Sequence, residues 1–155
     1  MERPALDTIA VREVQIRYRG RSVGARMPIT EPRNFVHLAN RIVTDDAREH
    51  FLALYLDGRS RPIGHSIVSV GTATASLVHP REIFQPAIML GAVSLVIGHN
   101  HPSGDARPSR EDETVTKRVQ DAGNVLGVRL LDHVVWAREG GFHSFMEHGQ
   151  LSTSS

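Results

Sequence analysis

An α/β architecture, more fully an α+β sandwich in which helices flank a mixed β-sheet, is predicted by three features of the sequence. Strand-like apolar runs at 50–56, 62–70, 92–98 and 128–136 are interleaved with segments whose apolar residues recur at helical spacing. With 155 residues and 40% hydrophobic content, the chain has enough apolar mass for one buried core and is short for two. No internal repeat or coiled-coil heptad competes with a layered arrangement. We therefore expect one domain over residues 10–149, an N-terminal extension over 1–9 and a polar, disordered tail over 150–155.

The elements follow in order. Residues 10–19 read as a strand in which Val11, Val14, Ile16 and Tyr18 alternate imperfectly with Arg12, Arg17 and Arg19; together with Arg21 and Arg26 these arginines are assigned to an exposed strand face. Thr30, Glu31 and Pro32 open a helix whose Phe35, Leu38, Ala39 and Ile42 form one apolar stripe. Asp57 and Gly58, between the runs 50–56 and 62–70, signal a hairpin. His79 and Pro80 open a second helix carrying Ile83, Phe84, Ala87, Ile88 and Leu90, with Pro86 expected to kink it. The run Ala92 to Gly98 has the length and β-branching of a buried strand, and Pro102 to Pro108 turn the chain back. Ser109 is a good N-cap for a third helix reaching about Leu126, and Val128 to Trp136 supply a last strand.

The chemistry concentrates where the buried strand ends. Residues two apart on a strand face the same way, so His99 and His101 can reach one ion while Asn100 points away. Ser109 and Asp112 share the opening face of the helix that follows. Two neutral imidazoles and a carboxylate fill three corners of a zinc tetrahedron, and a catalytic site keeps the fourth for water. The chain has no cysteine, which excludes closed Cys-rich structural sites. Ser109 and Asp112 also form a capping-box pattern, which needs no metal at all. Asp105, among loop glycine and proline, reads as a turn residue. Asp132 and His133 on the next strand read as structural groups or as groups that orient a ligand.

His99, His101, Ser109 and Asp112 match a His-x-His, seven-residue gap, Ser-x-x-Asp signature and so resemble the JAMM (MPN-plus) metalloproteases. The longer strings HNHPSGD and PSRED resemble the RadC family in particular, as do SVGT at 69–72, HPREIF at 79–84, AG at 122–123 and LLDH at 130–133. The resemblance implies a JAMM/MPN-like sheet with cytidine-deaminase-like layering. It also implies zinc-dependent peptide or isopeptide hydrolysis with one Zn2+ per chain, held by His99, His101 and Asp112, and a protein or peptide substrate. In that family a glutamate just ahead of a strand acts as general base, and Glu49 holds this position. Glu82 competes for the role, but at a helix start its charge is already accounted for by the helix dipole. With an activated water as nucleophile, Ser109 is cast as a donor to the developing oxyanion.

Composition bounds the alternatives. Eighteen basic and 17 acidic residues leave a net charge of +1, so no bulk attraction to nucleic acid is indicated; Lys117 is the one lysine among arginines. No apolar run has the length of a membrane span, and the N-terminus lacks a signal peptide's apolar region, which gives a cytoplasmic expectation. RadC proteins commonly carry an N-terminal helix-hairpin-helix-like region, so the expectation here is a short form without it. Two rival readings remain. One is a RadC-type accessory protein associated with DNA repair, its metal structural or vestigial; the other is a metal-dependent phosphodiesterase, which usually wants two metals and more carboxylates.

Overall fold

The structure is a computed structural model that describes residues 15, 17, 20, 27–71, 78–139 and 141–152. The element order is α1 (Pro32–Ile42), β1 (Glu49–Leu56), β2 (Pro62–Gly71), α2 (Pro80–Leu90), β3 (Ser94–Asn100), α3 (Arg110–Leu126), β4 (Arg129–Ala137) and β5 (Gly141–Ser144). The strands form one sheet in the order β2-β1-β3-β4-β5. Only the β3–β4 pair is parallel, because α3 carries the chain back across the sheet between those two strands; the other pairs are antiparallel. This is the mixed sheet with flanking helices that the sequence predicts.

Strand composition explains the layering. On β1, Phe51, Ala53 and Tyr55 face α2 and α3 and pack with Ile83, Phe84, Val115 and Val119. The alternate residues Leu52, Leu54 and Leu56 face the other way, into a second cluster built around Phe35 and Ala39 of α1 with Val134 and Trp136 of β4. Both faces of β1 and β3 are therefore apolar and covered, which is why these strands read as unbroken hydrophobic runs rather than as alternations.

Several expectations are refined. The buried strand runs two residues beyond the predicted end, so His99 and Asn100 lie within β3. The hairpin after β1 is organised by Asp57, whose Oδ1 accepts hydrogen bonds from the Arg59 and Arg61 amides, and the left-handed residue is Ser60 at φ 56° rather than Gly58. Helix α2 is continuous through Pro86. Strand β5 has no counterpart in the sequence reading, since four residues are too few to show a period. Within the expected disordered tail, residues 151 and 152 are held against the domain, and 153–155 lie outside the described residues. Leu151 packs on the core, and Ser152 exchanges two hydrogen bonds with the Gln120 side chain. The expected strand at 10–19 lies outside the described residues, and of the N-terminal arginines only Arg17 is described, as exposed.

At Gly98, just before His99, the Phe35 ring of α1 lies directly against the sheet. A Cβ there would lie 2.5 Å from the Val134 carbonyl oxygen and 2.6 Å from the Phe35 ring, two groups with no room to retreat. Gly98→Ala is expected to cost about 1–3 kcal/mol through overpacking, read as a lowered urea midpoint with an unchanged slope.

Candidate metal centre

Three segments meet at one end of the sheet: the start of β1, the end of β3 and the N-terminus of α3. Phe51 opposite His99 is the last rung of the β1–β3 ladder. Beyond it the strands part. The His101 amide donates to the Trp136 carbonyl at 2.7 Å, so the chain stays with β4 and leaves β1. The fork is bridged by Asn100, which is 4% exposed and on the opposite face from His99. Its Oδ1 accepts from the His50 amide at 2.7 Å, and its Nδ2 donates to the Arg48 carbonyl at 2.9 Å. Those two groups flank Glu49, so one side-chain amide fixes the backbone that presents this carboxylate. The sequence reading missed this role. The available signal was chemical, since an amide side chain offers a donor and an acceptor on two atoms side by side.

On the face towards α3, His99 is fully buried and stacked on Phe51 with an interplanar angle of 6°. Its Nε2 lies 3.1 Å from His101 Nε2, 3.1 Å from Asp112 Oδ1 and 4.0 Å from Glu49 Oε1. Glu49, His99 and His101 each present one ligand atom, all within 4.8 Å of one another, and Asp112 joins the group through His99. The orientation of His101 is fixed at its far nitrogen, where Nδ1 lies 2.6 Å from the Asp105 carbonyl oxygen. A carbonyl only accepts, so Nδ1 carries the hydrogen and Nε2 turns a lone pair into the cluster.

The capping box and the cluster use different atoms of one carboxylate. Asp112 Oδ2 accepts from the Ser109 amide at 2.7 Å, and Ser109 Oγ accepts from the Asp112 amide at 3.2 Å. Oδ1 is thereby left facing His99. Burial opposes ionisation of Asp112, while the two Ser109 bonds favour the carboxylate. Ser109 is exposed at the helix cap, and its hydroxyl hydrogen is not consumed by the cap.

The remaining candidates sort by their partners. Glu82 Oε2 accepts from the His79 amide and completes the capping box of α2. The Asp105 carboxylate is engaged by Arg107, whose hydrogen bonds lower its pKa to about 2; what it offers His101 is its backbone oxygen. Asp132 accepts from Ser144 Oγ and the Met146 amide and ties β4 to the turn after β5; burial pushes its pKa up. His133 is fully buried, stacked on Phe145, with Nε2 3.1 Å from His99 Nδ1; burial pushes its pKa well below the ordinary histidine value. Beside His101 a cleft of about 310 Å³ opens between α1 and the end of β4, lined by Asn40, Asp46, Asn100, Trp136, Arg138 and Glu139.

A layered domain with this cluster where β1, β3 and α3 meet has the architecture of a JAB-type domain. The RadC-like JAB domain model matches residues 29–150, and the chain belongs to that family. Its relatives include UPF0758 proteins of Rubrobacter xylanophilus, 49% identical over 114 residues (74% of this chain, 49% of the relative), and of Geobacter sulfurreducens, 44% identical over 118 residues (76% and 50%). A UPF0758 protein of Shouchella clausii is 38% identical over 151 residues, or 97% of this chain and 65% of the relative. The chain thus spans about half to two thirds of the length of these relatives. Among the described residues no helix is long and apolar enough to cross a membrane.

Asn100→Leu preserves volume and removes both bonds across the fork. We expect a loss of about 1–3 kcal/mol from the stranded His50 amide and Arg48 carbonyl. Hydrogen exchange at the His50 amide should accelerate about tenfold or more, while the Leu52 amide, inside the ladder, changes far less.

Proposed function

We propose that this domain is a zinc-dependent hydrolase of amide bonds, a metallopeptidase or isopeptidase acting on a protein or peptide substrate. The observation that carries the reading is the convergence of His101 Nε2 and Asp112 Oδ1 on His99 Nε2, each at 3.1 Å. Ligands 2.0–2.1 Å from a tetrahedral zinc stand about 3.3 Å apart, so each of these 3.1 Å separations suits a pair of ligands to one ion, and Glu49 lies within 4.8 Å of both histidines. Acceptor atoms at that distance with no hydrogen to share repel one another, and a cation relieves the repulsion.

Glu49 and Asp112 compete for the role of carboxylate ligand, and burial favours Asp112. Asp112 is 2% exposed and 3.1 Å from His99 Nε2, whereas the Glu49 side chain is 18% exposed and 4.0 Å from the same atom, although it lies within 4.8 Å of both histidines. We assign Asp112 to the metal with His99 and His101, and Glu49 to the proton. A zinc ion in such a pocket supplies an acidified water and a Lewis acid for the substrate carbonyl. Glu49, held by Asn100, takes a proton on its carboxylate and returns it to the leaving nitrogen. Ser109 donates its hydroxyl hydrogen towards the carbonyl oxygen as charge builds there. The cleft beside His101 offers polar lining for residues flanking the scissile bond.

Metal analysis of protein purified without added metal or affinity histidines tests the assignment. The expected result is about one zinc per chain, lost in His101→Ala and much reduced in Asp112→Asn. Glu49→Gln should keep its zinc and lose about 10²–10⁴-fold in turnover of any peptide or isopeptide the wild type cleaves. Wild-type protein free of zinc even after incubation with it would refute the hydrolase reading. Zinc loss in Glu49→Gln but not in Asp112→Asn would exchange the two carboxylates' roles.

A further inference from the structure

We propose that Thr116, acting through the buried His133, is a positioning residue that fixes which nitrogen of His99 carries hydrogen and so keeps His99 Nε2 open to a metal ion. The inference rests on the metal-site reading above, and it follows from counting hydrogens along a chain of contacts. Thr116 lies one turn after Asp112 on α3, is 2% exposed, and has its Oγ1 2.5 Å from the Asp112 carbonyl oxygen and 2.6 Å from His133 Nδ1. A hydroxyl has one hydrogen, and a carbonyl can only accept it. Thr116 therefore donates to Asp112 and turns a lone pair towards His133, so His133 Nδ1 must be the protonated nitrogen.

The other nitrogen of a neutral imidazole is then bare. His133 Nε2 faces His99 Nδ1 at 3.1 Å, and two bare nitrogens there would repel, so His99 carries its hydrogen on Nδ1. His99 Nε2 presents its lone pair to His101 and Asp112. The circuit closes on the residue where it began: the Asp112 backbone carbonyl receives the first hydrogen, and the Asp112 carboxylate faces the nitrogen that the relay leaves open. His133 is held in place between the Phe51 and Phe145 rings, with centroid separations of 5.7 and 4.8 Å, so the ring is not free to turn away and find another partner.

Nothing about a hydroxyl at position 116 is needed for packing alone. Valine has nearly the same shape, and without the acceptor the buried His133 Nδ1 hydrogen would have no partner. The cheaper state then moves it to Nε2, which forces His99 to accept at Nδ1 and to place its own hydrogen on Nε2, where the metal belongs.

The test reads hydrogen positions directly, by long-range ¹H–¹⁵N correlation spectra of the histidine rings in metal-free protein. The expected wild-type pattern is hydrogen on Nδ1 and a bare Nε2 at His133, with Nδ1 of His99 protonated. A hydrogen on His133 Nε2 in the wild type overturns the proposal before any variant is made. Thr116→Val should move that hydrogen to Nε2 and lower zinc affinity about 10- to 100-fold, measured by competition with a chelator. Thr116→Ser, which keeps the hydroxyl, should restore both. Wild-type zinc affinity and tautomers in Thr116→Val would also overturn it. Because the spectra are taken without metal, a protein with the expected tautomers that binds no zinc would refute the hydrolase reading and leave the relay standing.

Discussion

The parting of β3 from β1 after the Phe51–His99 rung is the constraint on which the site depends. A ladder continued by two more residues would place Glu49 opposite His101 at sheet spacing, about 5 Å between Cα atoms, and leave no room between them. By keeping its bonds to β4 while releasing β1, the chain opens a gap of atomic width at the edge of a close-packed core. Such a gap would expose unpaired backbone groups, and Asn100 answers this by supplying the donor and acceptor that the missing rung would have provided. The hydrophobic layers on either side hold the two strands rigidly enough for the opening to keep its size. Gly98 is part of the same arrangement, because Phe35 can press against β3 only where a side chain is missing.

Helix α3 shows how one local device serves two ends. Its capping box satisfies backbone donors at the helix start, a task that any Ser-x-x-Asp sequence performs. In most helices the acidic side chain's second oxygen looks into solvent. Here the β3–α3–β4 crossover sets the helix start against the end of β3, so that oxygen meets His99 instead. The question left open by the sequence, cap or ligand, is therefore not a choice between alternatives: one oxygen of this carboxylate serves the cap and the other faces His99.

Legibility in the sequence followed the range of the interaction. Segments set by local pattern were visible: the apolar run into His99, the Ser109 cap, the Asp57 turn and the helical stripe of Phe35, Leu38 and Ala39. Glu49 and Glu82 looked alike as acidic residues ahead of regular elements, and a resemblance favoured Glu49. The structure separates them by partners, since Glu82 is engaged by the α2 cap while Glu49 stands within reach of both histidines. What stayed hidden depends on contacts across the fold. Asn100 bridges to residues 48 and 50 on another strand, the Asp105 backbone oxygen is invisible in its side-chain identity, and Thr116 meets His133 only because α3 crosses above β4. Strand β5 was lost for a different reason, its pairing being decided by β4 and the Asp132 bonds rather than by its own four residues.

The cluster joins Glu49 of β1 to residues fifty or more positions later at the end of β3 and the start of α3, and this has a thermodynamic consequence. The unfolded chain keeps only the His99–His101 pair close together, so a cation held by the whole cluster would bind the folded state far more tightly than the unfolded one. Its binding free energy would then add to folding stability by mass action, up to about 2.7 kcal/mol at a free concentration one hundred times the dissociation constant. A domain of this size lives on a margin of only about 5–15 kcal/mol. Metal supply in the surroundings would thus govern how long the chain survives proteolysis, and a starved population would shrink by turnover as well as by loss of function.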